Sequence, residues 1–116
     1  MQPQPQPLIL DSFRCWMQSK QEQLQVLQIS TEERKENPED EKKYNSDPFI
    51  GYVHESGIAM GQVTLWASRQ MEFEVINIDT EERLVWTYVE QIEEQEDYFN
   101  KILKPYFGAL QFGVKV

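Results

Sequence analysis

Twenty carboxylates and one histidine set the limits on what chemistry this 116-residue chain can carry. Catalysis needs a nucleophile, a positioned acid or base, or a metal cage. His54 stands alone, so no histidine-rich metal site can form. Cys15 is the single cysteine, which excludes a CxxC redox pair and a thiolate cage. Gly57 and Gly61 bracket Ile58-Ala59-Met60, a spacing without the GxGxxG or GK[ST] pattern of a phosphate loop. No GxSxG elbow occurs. Ser12 and Ser68 have no base nearby in sequence. Glu72 and Glu74 alternate along one segment, which places two carboxylates about 7 Å apart at ~3.4 Å per residue on a strand. That separation suits hydrolysis on paper, but alternating charge is also what a solvated sheet face looks like. The residues point to no enzyme, no cofactor and no metal.

The aromatic residues are more informative than the acids. Val63 and Leu65 alternate with Thr64 and Trp66. Met71, Phe73 and Val75 alternate with Glu72 and Glu74. Leu84, Trp86 and Tyr88 alternate with Val85, Thr87 and Val89. Such period-two patterns predict half-buried strands, and they put large side chains on both faces of one sheet. Helices can cover one face. The other either leaves an apolar patch of the kind that marks interfaces, or is covered by further parts of the chain. Trp66, Glu72, Glu74, Trp86 and Tyr88 are the candidate partner-interface residues.

The elements that position them can be read in order. Residues 1–7 alternate Gln and Pro and read as a disordered, polyproline-like tail. Residues 8–116 form a single domain. A helix is predicted from about Ser12 to Gln21, with Asp11 as N-cap and Phe13, Trp16 and Met17 on one face. Cys15 beside that face reads as a small apolar filler. Residues 24–30 suit either a helix or a strand, and their β-branched residues favour a strand. Residues 31–48 carry seven acids and four bases and read as a long charged loop. Strands follow from Phe49, with Ile50, Tyr52 and His54 on one face. Short links between strands demand antiparallel pairing. A second helix is predicted from about Glu93 to Lys104, its acids at the positive end of the dipole and Pro105 at its end. The alternation of Leu110, Phe112 and Val114 favours a last edge strand. The fold class is α+β: an antiparallel meander of about four to five strands, with an N-terminal and a C-terminal helix packed on one face.

Composition narrows the partners. The net charge is −9, which repels nucleic acid and anionic lipid and attracts a basic protein. No apolar run approaches the ~20 residues of a membrane helix, and no leader-like segment opens the chain. With one cysteine, a reducing, cytoplasmic setting is the simpler expectation.

Phe13 and Trp16, then Val63-Thr64-Leu65-Trp66, then Phe73-Glu74-Val75, then Thr80-Glu81, then Leu84-Val85-Trp86 together resemble the TriTu-type immunity proteins of bacterial polymorphic toxin systems. The chain departs from that pattern at Ala67-Ser68-Arg69-Gln70, where an acidic Ser-Gly turn is expected, in the length of 31–48, and in the tail beyond Pro105. The resemblance implies a non-enzymatic binder that blocks a cognate toxin. It carries over no toxin-contact residues. Two other classes stay open: a homo-oligomeric scaffold domain that pairs two copies, and, further off, a small-ligand carrier with a pocket between sheet and helices.

Overall fold

The computed structural model describes residues 8–34, 48–93 and 97–115. The expected tail over 1–7 and most of the expected loop, residues 35–47, lie outside them. The elements run α1 (Leu8–Ser19), α2 (Gln21–Val26), β1 (Ser30–Arg34), β2 (Phe49–Glu55), β3 (Ala59–Trp66), β4 (Met71–Asn77), β5 (Arg83–Val89), α3 (Tyr98–Ile102) and α4 (Lys104–Phe112). The strands form one sheet in the order β1-β2-β3-β4-β5, every neighbour antiparallel. This is the α+β meander that the alternation demands.

Helices cover one face of the sheet. Ile50, Tyr52, Val63, Leu65, Met71, Phe73 and Val75 point into the core from the strands, and Phe13, Met17, Phe99, Leu103, Tyr106 and Leu110 meet them from the helices. Phe13 joins three elements: its ring lies 5.7 Å from Tyr52, 4.9 Å from Phe99 and 6.0 Å from Trp16. Leu103, Tyr106 and Leu110 fall at i, i+3 and i+7, the stripe that a helix of 3.6 residues per turn presents to one side.

Six local expectations are corrected. Residues 24–30 are not a strand: α2 runs to Val26 and β1 begins only at Ser30. Leu24 and Ile29 are both buried while Val26 is 80% exposed. A strand would put Leu24 and Val26 on one face and Ile29 on the other. Instead Gln28 adopts a left-handed φ of 62° and Ile29 N–H donates to the Leu24 carbonyl at 2.8 Å, which closes the helix. Residues 31–34, read as loop, complete β1. The tail is helical rather than a strand. Leu110 is buried but Phe112 and Val114 are exposed, so the three do not share a face. Pro105 opens α4 rather than ending a helix, because a first-turn residue needs no N–H donor. Cys15 is exposed on the outer side of α1, so it fills nothing in the core. Asp11 lies inside α1, paired with Arg14 at 3.6 Å, because the helix starts at Leu8, four residues before Ser12.

The turns follow their residue types. Asn77 Oδ1 accepts from the N–H groups of Asp79 and Thr80 at 2.9 and 3.0 Å, and Glu81 turns the chain with φ 62°. β4 and β5 then meet through a register irregularity at Val75/Ile76. The bulge lets Leu84 reach the core at 2% exposure while Trp86, two residues on, is 48% exposed. Alternation alone puts Leu84, Trp86 and Tyr88 on one face, and the bulge separates Leu84 from the other two.

One glycine is required by packing. Gly61 stands between His54 and Val75 in the ladder. A Cβ there would lie 2.9 Å from Tyr106 Cε1 and 3.0 Å from its hydroxyl. The gap admits the Tyr106 ring, whose hydroxyl sits 2.7 Å from His54 Nδ1. Tyr106 is fully buried against Phe73 and Phe107 and cannot step aside. Gly61→Ala is expected to cost about 1–3 kcal/mol of stability by overpacking, read as a lower urea midpoint with an unchanged slope.

Candidate functional site: the open face of the sheet

Two constellations combine polar chemistry with defined geometry. The first is buried. His54 is wholly enclosed, with its ring 5.5 Å from Tyr106 and 5.3 Å from Phe107. Burial pushes its pKa down to about 4 and raises that of Tyr106, so the ring is neutral at physiological pH. Tyr52 beside it is pushed up to about 12, by burial and then by Glu33. A neutral, sealed imidazole tied to a tyrosine is a structural element of the core. It has no route to a substrate.

The second constellation is the sheet face turned away from the helices. Alternation and register place Glu32 and Arg34 of β1, Phe49, Val53 and Glu55 of β2, Met60, Gln62, Thr64 and Trp66 of β3, Glu72, Glu74 and Ile76 of β4, and Trp86 and Tyr88 of β5 on this side. Trp66, Glu72, Glu74, Trp86 and Tyr88 therefore share one face. Glu72 stands opposite Tyr88, and Glu74 opposite Trp86. The indole N–H of Trp86 donates to Glu72 Oε2 at 2.8 Å. Arg83 Nε donates to Glu74 Oε2 at 2.8 Å, and its guanidinium lies 5.9 Å from the Trp86 ring centre. Trp66 is set apart from this group, on β3 opposite Phe49.

The Trp86 ring is thus held in place while about half of it stays open to solvent. Trp86 and Tyr88 are 48% and 46% exposed. An aromatic ring left half in water and fixed by a hydrogen bond has little conformational entropy left to lose on contact.

Arg34 belongs to the same face, and the sequence reading hid it inside a loop. Gly51 opposite it has no side chain. The arginine therefore reaches across β2, donates from Nη1 to Thr64 Oγ1 at 3.1 Å, and lies 5.5 Å from the Phe49 ring. Arg34, Phe49, Gln62, Thr64, Trp66 and Glu72 line a shallow depression of about 240 Å³. The only sequence signal for Arg34 was the glycine on the next strand, which means nothing until the register is known.

Among the described residues no group of three or more His, Cys, Asp or Glu side chains could hold a metal ion, and no helix is long and apolar enough to cross a membrane. An α+β domain that spends one sheet face on its core and presents the other as a fixed aromatic and acidic surface has the build of a protein-binding module. Comparison with protein families gives that class a particular member. The family model described as Immunity protein TriTu matches residues 11–107, and the chain belongs to that immunity protein family. No curated protein and no solved structure matches it.

Proposed function

We propose that this chain neutralises a toxin by binding it, without catalysis, across the open face of the sheet. Family membership supports the toxin as partner. The observation that carries the site is the pair of half-exposed rings, Trp86 and Tyr88, set against Glu72 and Glu74 on a face that no described residue covers. Central aromatic residues dominate binding energy at most interfaces. Net charge of −9 favours a basic toxin, met in the cytoplasm, because long-range attraction speeds encounter.

Binding of the chain to a basic toxin domain from a neighbouring gene tests this, by calorimetry and by association kinetics over a range of salt. Trp86→Ala is expected to weaken the complex by about 10- to 100-fold, the usual cost of truncating an aromatic anchor at an interface. The folded chain should change little, since the ring is half in solvent. Glu72→Lys with Glu74→Lys should slow association, and added salt should slow the unmodified pair. A Trp86→Ala chain that binds as tightly as the parent would place the contact elsewhere.

A further inference from the structure

The open face holds two shallow depressions that share Gln62. In the one described above, Arg34 stands with Glu72, so the face supplies its own cation. The other, of about 200 Å³, is lined by Val53, Met60, Gly61, Gln62, Glu74 and Ile76, with no cation among them.

This second depression has an apolar floor and an anionic rim, and the register says why. Met60 stands opposite Ile76, and Val53 opposite Gln62, so the apolar side chains of three neighbouring strands meet on the open side. Carboxylates surround them. Glu32 stands opposite Val53 on β1, Glu55 opposite Met60 on β2, and Glu74 opposite Gln62 on β4. Among the described residues no cation pairs with Glu32 or Glu55. Arg83 donates to Oε2 of Glu74, and a carboxylate accepts from more than one donor.

A partner's side chains fare differently here by class. A carboxylate is repelled. A wholly apolar side chain covers the floor but strips water from the glutamates and replaces none of its hydrogen bonds. Lysine and arginine satisfy both parts. Their methylenes lie along apolar surface while the charged head stays at the rim, where it donates charge-assisted hydrogen bonds to carboxylate oxygens. We propose that this depression receives a lysine or arginine side chain of the toxin, its stem on Val53, Met60 and Ile76 and its cation among Glu32, Glu55 and Glu74. The inference rests on the reading of the open face as the toxin-binding surface, and adds an anchor to it. From β3 to β5 is roughly 10 Å at ~4.8 Å per strand, so one partner surface can cover this depression and Trp86 together.

Calorimetry of the chain with a basic toxin domain from a neighbouring gene tests it. Met60→Lys lays the chain's own cation on the floor and is expected to weaken the complex about tenfold or more, because like charges oppose across an interface. Met60→Leu keeps the floor apolar and should bind as the parent does. Met60 is exposed, so the far-ultraviolet spectrum of both variants should be unchanged. Glu32→Gln with Glu55→Gln should weaken the complex and flatten its dependence on salt. On the toxin, each exposed lysine and arginine is changed in turn to methionine, which keeps a stem and removes the charge. One position should lose about tenfold, and the loss should shrink against the Glu32→Gln, Glu55→Gln chain, the mark of direct coupling. That position tells lysine from arginine. If Trp86→Ala weakens binding and Met60→Lys does not, this inference falls and the open face stands. If neither weakens it, both fall. A toxin scan in which no position couples to the glutamates also overturns the inference.

Discussion

The Phe13→Ala variant is expected to lose about 3–5 kcal/mol of folding free energy, the range for truncating a fully buried phenylalanine. Small domains have roughly 5–15 kcal/mol in total, so the variant should sit near the edge of stability. The large value follows from position. Phe13 has no exposed surface and is the ring through which α1 touches both the sheet, at Tyr52, and α3, at Phe99. Those neighbours come from two separate elements that cannot both close on the hole. Phe13→Leu keeps most of the volume and should cost about 1 kcal/mol. Chemical denaturation followed by circular dichroism reads both. Equal losses for the two variants would mean that the ring's shape, rather than its volume, sets the cost.

Acid is expected to weaken the fold through His54. The imidazole is buried beside Tyr106, Tyr52, Phe107 and Thr31 and titrates in the folded chain at about 4 rather than 6.5. The direction follows from which state takes up the proton. Above the unfolded value both states hold a neutral ring and nothing is lost. As pH falls through 6.5 the unfolded chain binds a proton that the folded chain refuses, and stability drops until the folded ring also titrates near 4. At about 1.4 kcal/mol per unit the loss across that window is on the order of 3 kcal/mol. The urea midpoint measured across it should fall more steeply for the parent than for His54→Gln, which has no ring to titrate. Parallel curves for the two would show that His54 does not govern the acid limb.

How far the sequence alone reaches can be judged element by element. β3, β4 and β5 were legible because their side chains alternate, and links of a few residues leave only antiparallel pairing open. That Trp66, Glu72, Glu74, Trp86 and Tyr88 share one face follows from the register between strands, which alternation within a strand does not give. What alternation cannot show is a bulge. The irregularity at Val75/Ile76 moved Leu84 into the core and turned Arg83 toward Glu74. Residues 24–30 were misread because Val26 is β-branched yet exposed, and local preference is weak beside burial of Leu24 and Ile29. The tail was misread because Leu110, Phe112 and Val114 alternate by coincidence, and only the first of them is buried. Gly61 and Gly51 could be seen but not interpreted. Each answers to a residue far along the chain, Tyr106 in one case and Arg34 in the other.

The arrangement of the strands has an evolutionary consequence. Neighbouring residues along β3 and β4 serve different masters: Val63, Leu65, Phe73 and Val75 keep the molecule folded, while Gln62, Thr64, Glu72 and Glu74 look outward. A lineage can therefore rewrite every second letter of these segments, and the architecture beneath survives each revision.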